Sequence, residues 1–256
     1  TIVWRIYRAN ATNTKQKIHY GDYTLDVLEG VPTNNYDKSA FSRSGSIMRY
    51  NDPSVRTRLG IDVSQYQGDI DWTAVAGSGI EFAIARVGGR GYTAGAVFAD
   101  PRFDEYADGA AAAGLQVGAY FFSQAISVAE AEEEAYFVLD KLRGHSITGP
   151  VVFDWEVIGK SNARTYGIET SVLCACARAF CKIIEDAGYD AMIYINNYAG
   201  YIKYDLSQVM EYPLWYANYS TDAPTFYYDF AMWQYTSKGS VPGIKGNVDM
   251  DLWFIK

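Results

Sequence analysis

The sequence has 256 residues, of which 49% are hydrophobic and 20% are charged, so it is long enough to bury a sizeable core. No apolar run approaches the roughly 18–20 residues that a membrane-spanning helix needs, so membrane insertion is not expected. The formal net charge is −8 and Lys and Arg cluster only near 49–58, a pattern that argues against nucleic-acid binding.

The first 56 residues differ in pattern from the rest of the chain. Segments 2–7 and 17–28 are rich in β-forming residues, whereas 32–46 is loaded with Asn, Ser, Asp and Gly and predicts a loop. No catalytic constellation occurs in residues 1–56. We interpret them as a small β-rich N-terminal extension or the remnant of a neighbouring module, with a packing, linker or interaction role.

From residue 59 onward, short apolar runs alternate with amphipathic stretches. The predicted strands are 59–64, 82–87, 116–123, 151–157, 191–196, 214–219, 230–235 and 247–254. The predicted helices are 72–78, 101–113, 128–143, 171–187 and a short one near 206–211. This alternation favours a parallel sheet with helices outside it. Since the last strands lack helical connections, we expect residues 57–256 to form a TIM-like barrel whose last third has lost its helices.

Three cysteines, at positions 174, 176 and 181, fall within one predicted helix, and the chain has only two histidines. Neighbours on one helix cannot reach disulfide geometry without distortion. We therefore expect the cysteines to be buried as small apolar side chains rather than to bind zinc. No motif indicates a cofactor or a metal.

The strongest functional signal is the segment 149–156, GPVVFDWE. An apolar strand here ends in Asp154 and Glu156, and side-chain alternation directs both carboxylates to one face and Trp155 to the other. The carboxyl ends of parallel strands form the mouth of a barrel, where active sites assemble. With Cα atoms about 6–7 Å apart, from a rise of ~3.3 Å per residue, the pair suits the acid chemistry of glycosidases.

Acidic residues also occupy two other predicted strands. Asp62 lies within the apolar run LGIDVS, where an unpaired carboxylate is costly, so a paired or functional acid is expected. Asp249 and Asp251 share one face of the last predicted strand. Because the first and last strands of a closed barrel are neighbours, Asp62 and Asp249 are expected to lie close together and to raise each other's pKa.

Aromatic and amide side chains on the remaining strands are candidates for a sugar-binding cleft, because a flat apolar face with a polar edge suits stacking on sugar rings. The candidates are Tyr120, Tyr194, Trp215, Tyr219, Trp233 and Gln234. Strand alternation cannot direct all of them into the mouth, and we expect about half to lie in the core or on the outer face.

Taken together, these segments resemble the lysozymes of glycoside hydrolase family 25. The matching segments run in order over 59–256: GIDVSQYQG at 60–68, IDW at 70–72, FAIAR at 82–86, GAYFF at 118–122, VFDWE at 152–156, LWYA at 214–217, WQY at 233–235 and VD at 248–249. The resemblance does not cover residues 1–56. The family often has Asn two positions after the final motif's Asp, where this chain has Asp251.

The resemblance implies a (βα)5β3 barrel with N-acetylmuramidase activity. Such an enzyme cuts the β-1,4 bond between N-acetylmuramic acid and N-acetylglucosamine in the glycan strands of peptidoglycan. Position by position, it implies that Glu156 is the general acid and that Asp154, Asp62 and Asp249 are the acidic residues around it. Apart from the resemblance, a monomer is the default expectation and no motif suggests a cofactor. We expect the enzyme to act outside the cell, secreted or associated with the cell wall.

Two roles for Asp154 are open at this point. It either stabilises the substrate's acetamido group as that group attacks the anomeric carbon, or acts as the nucleophile itself. Acids at positions i and i+2 of one strand approach the sugar from the same side, which favours the first role.

Two alternative functions also stand beside the muramidase. One is a chitinase-like or glucosaminidase barrel hydrolase. Chitinases usually carry further alternating Asp residues before the Glu, and Val152 occupies that position here. The other is a cell-wall glycan-binding protein that has lost catalysis, which the presence of all four candidate acids argues against.

Overall fold

The computed structural model describes residues 16–219 and 221–255, and within them thirteen strands and four α-helices. The strands are β1 (Lys17–Tyr20), β2 (Tyr23–Asp26), β3 (Phe41–Ser44), β4 (Ile47–Tyr50), β5 (Arg56–Val63), β6 (Phe82–Arg90), β7 (Val97–Ala99), β8 (Gln116–Ser123), β9 (Val151–Trp155), β10 (Ala191–Asn196), β11 (Leu214–Ala217), β12 (Met232–Gly239) and β13 (Val248–Ile255). The helices are α1 (Trp72–Gly77), α2 (Phe103–Ala112), α3 (Val128–Leu142) and α4 (Thr170–Asp186).

Eight of these strands close into a barrel in the order β5-β6-β8-β9-β10-β11-β12-β13, with β13 pairing back onto β5. Neighbours from β5 to β12 are parallel, whereas β13 is antiparallel to both β12 and β5. The short strand β7 adds an antiparallel partner to the end of β6. The predicted mixed α/β barrel of eight strands is confirmed.

Helix ends follow local signals in the sequence. Asp71 caps α1 by accepting a hydrogen bond from the Ala74 amide at 3.0 Å, and Ser127 caps α3 by accepting one from the Glu130 amide at 3.3 Å. Two residues beyond α2, α3 and α4 the backbone takes positive φ angles of 82°, 87° and 91° at Gly114, Gly144 and Gly188. Glycine adopts this conformation without steric cost, which ends each helix where the sequence predicts it.

The barrel separates two apolar layers. The interior contains a compact cluster from alternate strand positions: Phe82, Ile84, Val152, Met192, Tyr194, Trp215, Ala217 and Met232. A larger layer lies between the barrel and its outer elements. All three cysteines belong to this outer layer and are buried on α4 without a disulfide, which confirms their predicted burial.

Residues 16–56 cover the outer face of the barrel on the side of β11, β12 and β13, where no α-helix follows the strands. The Asn34 amide donates to the Tyr227 carbonyl at 2.9 Å, and Tyr235 donates its hydroxyl to the Ser46 carbonyl at 2.9 Å. Tyr36 lies at the centre of this contact, with its ring centroid 4.0 Å from that of Phe254. The extension therefore packs where the barrel lacks helices.

Several local predictions need correction. The predicted loop 32–46 contains strand β3, which forms a hairpin with β4 because Gly45 supplies a positive φ of 58° at the turn. The helix predicted near 206–211 is a 3-10 helix at Leu206–Gln208, preceded by an unpredicted π-helix at Ala199–Lys203.

The predicted strand at 2–7 lies outside the described residues. No helix in 16–219 or 221–255 is long and apolar enough to cross a membrane.

Replacing Tyr36 by Ala is expected to lower the free energy of unfolding by about 3 kcal/mol, because it removes an aromatic ring from a packed cluster. The change also removes the hydrogen bond from its hydroxyl to the Phe230 carbonyl, at 2.8 Å. Tyr36→Phe keeps the ring and should cost only about 1 kcal/mol. Urea denaturation followed by tryptophan fluorescence measures both. Equal, small losses would contradict a structural role for the extension.

Candidate active site

Asp154 and Glu156 stand at the carboxyl end of β9 and line a cavity of about 200 Å³ at the barrel mouth. Asp154 is 5% exposed, and Glu156 is partly exposed just beyond the strand. Trp155, between them, is buried on the outer side with its ring centroid 6.4 Å from that of Tyr204. Strand alternation therefore brings the two carboxyl groups together as the sequence predicts.

Asp62 and Asp249 meet across the closure of the barrel. They are direct register partners of β5 and β13, and both line the same cavity as Asp154 and Glu156. Because β13 runs antiparallel to its neighbours, the beginning of this strand rather than its end lies at the mouth. All four predicted acidic residues therefore surround one cavity.

Gln234 connects the acids to two tyrosines. Its side-chain amide donates to Oδ2 of Asp62 at 2.6 Å. Its carbonyl oxygen accepts from the hydroxyls of Tyr194 at 2.9 Å and Tyr219 at 2.5 Å. With both ends of the amide engaged, Gln234 holds Asp62 and the two phenols in a fixed arrangement.

Aromatic rings form the remaining wall of the cavity. The Trp215 ring packs edge-on against Tyr194, with centroids 5.0 Å apart, and against Tyr120, with centroids 6.2 Å apart. All three residues line the cavity. The structure thus places Tyr120, Tyr194, Trp215 and Gln234 together with the acids, and Tyr219 joins them.

Trp233 does not belong to this group, and its prediction as a substrate-binding residue needs correction. Neighbouring residues on a strand face opposite sides, so with Gln234 inside the barrel Trp233 faces outward. It is completely buried there, donates its indole N–H to the Asn218 carbonyl at 3.0 Å, and packs edge-on against Phe41 of the extension.

Burial is the main reason why the pKa values of the four acids are raised, and charges of neighbouring acids raise three of them further. Burial raises the pKa of Asp249 to about 6. Burial and then the charge of Asp249 raise the pKa of Glu156, and burial followed by Asp249 and Asp251 raises that of Asp62 well above its ordinary value. For Asp154, burial and then the charge of Glu156 raise the pKa strongly. These shifts keep protons on the cluster to a higher pH than on free Asp and Glu, and because the acids repel one another, protonation of some of them lets the others remain ionised.

Arg86, at the cavity side of β6, is a further residue of the site that the sequence analysis did not single out. Its guanidinium pairs with the Asp100 carboxylate at 2.7 Å and lies 5.2 Å from the centre of the exposed Tyr66 ring. Its positive charge opposes the upward pKa shift of Asp154. An Arg at the end of the apolar run FAIAR was the signal available in the sequence.

Gln124 holds the backbone of Glu156 through a hydrogen bond. This fully buried residue follows β8 and donates its side-chain amide to the Glu156 carbonyl at 3.0 Å. Thr165, in the segment between β9 and α4, donates its hydroxyl to Gln124 at 2.8 Å. These hydrogen bonds fix the backbone where it leaves the barrel after Asp154.

Stability is expected to decrease as pH rises from about 4 to 7. Because Asp62, Asp154, Glu156 and Asp249 have raised pKa values in the folded state, the folded protein binds more protons than the unfolded chain across this range, where free Asp and Glu titrate near 3.9 and 4.3. Urea denaturation at several pH values measures the effect. Asp249→Asn should make the curve shallower between pH 4 and 6, and stability that rises over that range would contradict the assignment.

A second, larger cavity of about 450 Å³ lies at the other end of β11 and β12, with Val31, Met210 and Leu214 in its mainly apolar lining. Its lining includes two acidic residues, Glu211 and Asp229, against four in the cavity at the barrel mouth. Within the part of the chain that the structure describes, no cluster of His, Cys, Asp or Glu side chains is arranged to hold a metal ion.

Comparison with known proteins identifies a family whose model matches this chain. The model of the family described as "Glycosyl hydrolases family 25" matches residues 61–244. The autolytic lysozyme of Clostridium acetobutylicum is 30% identical over 193 residues, which are 75% of this chain and 54% of that protein. Lysozyme M1 of Streptomyces globisporus is 29% identical over 201 residues, 74% of this chain and 65% of that protein.

Solved structures agree with the sequence comparison. The bacterial lysozyme from Streptomyces coelicolor superimposes with a TM-score of 0.62 at 27% identity, covering 76% of this chain and 90% of that structure. The chain spans about half the length of the clostridial relative and about two thirds of that of lysozyme M1. The family model begins within β5 and ends before β13, and it leaves residues 1–60 outside the match.

Proposed function

The chain belongs to family 25 of the glycosyl hydrolases, and from that premise we propose that it is a peptidoglycan hydrolase of the muramidase type. The bond cleaved is the β-1,4 link between N-acetylmuramic acid and N-acetylglucosamine. The observation that carries the proposal is the convergence of Asp62, Asp154, Glu156 and Asp249 on one aromatic-walled cavity. Two relatives, an autolytic lysozyme and a lysozyme, support the same substrate.

Glu156 is the general acid in this proposal. Burial keeps its pKa above the ordinary value, so a protonated carboxyl is available at mildly acidic pH. It gives its proton to the glycosidic oxygen as the bond from that oxygen to the anomeric carbon breaks. The resulting Glu156 carboxylate then takes a proton from water, whose oxygen adds to the anomeric carbon.

Asp154 orients the acetamido group of the substrate in this proposal. Its Oδ1 is buried and accepts no hydrogen bond from any residue in 16–219 or 221–255, and an acetamido N–H is a donor of the kind it lacks. The acetamido oxygen attacks the anomeric carbon as the leaving oxygen departs, and water later opens the ring that forms. Two displacements at one carbon leave its configuration retained.

The remaining proposals concern architecture and setting. We infer that the barrel is the (βα)5β3 type, with the helical segment 199–208 in the place of the fifth helix. Residues 57–256 form the catalytic barrel, and within the N-terminal extension, 1–56, the described residues 16–56 serve as a structural cover for the helix-free side of the barrel. The enzyme acts as a monomer outside the cell, on the glycan strands of the wall.

Clearing of purified peptidoglycan suspensions tests the proposal, with colloidal chitin as the comparison substrate. The proposal predicts loss of turbidity with peptidoglycan and little sugar release from chitin. Preferential hydrolysis of chitin would instead favour a chitinase-like enzyme. Sedimentation with peptidoglycan without any clearing would favour a glycan-binding protein, and either result would overturn the muramidase proposal.

A further inference from the structure

Asp251 is a fifth acid, buried beneath the active-site cavity. It lies on β13 two residues after Asp249, is fully buried, and does not line the cavity. Its Oδ1 accepts a hydrogen bond from the indole N–H of Trp215 at 2.8 Å. Because the Trp215 ring forms the cavity wall against Tyr120 and Tyr194, this hydrogen bond fixes the orientation of that wall.

The second oxygen of Asp251 has an unusual environment. Oδ2 is buried, and no N–H group or hydroxyl among the described residues donates to it. On the neighbouring strand β5, Asp62 lies two residues from Gly60, the register partner of Asp251, and strand alternation directs both carboxyl groups into the barrel interior. Two ionised carboxylates on the same buried face would repel each other, and Oδ2 would be left without a donor, so we expect one of the pair to be protonated.

The surroundings indicate which carboxyl holds the proton. The groups that face Asp251 are Asp62 from β5, Trp215 from β11, Gln234 from β12 and Asp249 of its own strand, and none of them is a cation. Asp62 lines the cavity and accepts the amide of Gln234, two features that support a charged form. Asp251 is more deeply buried, so its charged form is the costlier one.

We propose that Asp251 is a positioning residue, which is protonated on Oδ2 and donates a hydrogen bond from there to Asp62 while its Oδ1 fixes the indole of Trp215. Asp251 is thereby a neutral donor and acceptor beneath the cavity, in contact with two residues that line it, Asp62 and Trp215. Burial followed by the charge of Asp249 raises its pKa, consistent with a proton retained at neutral pH. The effect on catalysis rests on the proposed muramidase function, whereas the shared proton does not.

Two variants test the proposal. In Asp251→Asn the carboxamide replaces the protonated acid with the same shape, one acceptor and a permanent donor. In Asp251→Leu both hydrogen bonds are lost at similar volume. We expect Asp251→Leu to lower kcat on peptidoglycan at least tenfold with a smaller change in KM, and Asp251→Asn to restore most of that loss. Equal activity of the leucine variant and the wild type would overturn the positioning role.

Two measurements that need no turnover test the proton itself. At pH 7 the infrared spectrum of the wild type should contain the C=O stretch of a buried protonated carboxyl, and the Asp251→Asn difference spectrum should lose one such band. The pH dependence of the unfolding free energy between pH 5 and 7 should become shallower by up to one proton in this variant.

An unchanged carboxyl band together with an unchanged pH dependence would overturn the shared proton. If the wild type fails to cleave peptidoglycan, the proposed function fails, while these two measurements still decide the proton. If Asp251→Leu does not fold, the infrared band and the pH dependence of unfolding of Asp251→Asn still decide whether Asp251 holds the proton.

Discussion

Replacing Glu156 by Gln is expected to lower kcat on peptidoglycan by about 10²–10⁴-fold, the usual contribution of a positioned general acid. Glutamine keeps the size of the side chain but has no proton of suitable acidity for the leaving oxygen. Because Glu156 is partly exposed at the cavity and its side chain is not part of the core, folding should persist. Release of reducing ends from purified peptidoglycan measures the effect.

The matched control is Glu132→Gln, which makes the same chemical change at an exposed position of α3. Its activity should stay within about twofold of the wild type, in keeping with the small effects of surface substitutions. Circular dichroism and sedimentation with peptidoglycan establish that both variants fold and bind. Activity of Glu156→Gln within a few-fold of the wild type would remove Glu156 from the general-acid role.

Replacing Asp154 by Asn is expected to lower kcat by about 10²–10³-fold, the typical loss when one electrostatic stabiliser of a transition state is removed. The variant lacks the negative charge that orients the acetamido N–H and stabilises the positively charged ring intermediate. Since asparagine fits the volume of Asp154, the change in KM should be small. Asp190→Asn, at an exposed position before β10, is the matched control.

Mass spectrometry of the intact protein under turnover conditions distinguishes the two roles of Asp154. The orienting role predicts no sugar adduct on the protein. A glycosyl adduct on Asp154 would instead assign the nucleophile to this residue and contradict assistance by the substrate. In either case the anomeric configuration of the product is retained, so the adduct rather than the stereochemistry decides.

Much of the barrel could be predicted because hydrophobic periodicity is local. The predicted strands 116–123 and 191–196 coincide with β8 and β10, where apolar runs are bounded by clear turn signals. The approach of Asp62 and Asp249 followed from closure of the barrel, which makes the first and last strands register partners. Alternation likewise separated Trp155 from the two acids of β9.

Other features depend on long-range packing that no local pattern reports. Trp233 faces outward because β12 begins with Met232 inside the barrel, and register irregularities between Gln234 and Thr236 then alter the pairing with β13. Phe41 of the extension packs on the outer face of β12 at Trp233, so an aromatic residue is buried there rather than in the cavity. The role of Gln234 as a link between Asp62 and the tyrosines likewise required three-dimensional proximity.

The main cause of the raised pKa values in the cavity differs from the one that the sequence predicts. Clustered charges were expected to raise the pKa of each acid, and for Asp62 and Glu156 neighbouring charges do contribute. Burial is nevertheless the larger cause at every acid of the cavity. A sequence indicates which acids occur near one another along a strand, but the desolvation of each one depends on the closed barrel.

In the proposed function, this barrel cleaves peptidoglycan as a muramidase through Glu156. Mass spectrometry of soluble fragments released from purified peptidoglycan by the wild type and by Glu156→Gln tests it most directly. We expect disaccharide-peptides with muramic acid at the reducing end, released by the wild type and nearly absent with the variant. Fragments ending in reducing N-acetylglucosamine, or equal release by both proteins, would contradict it.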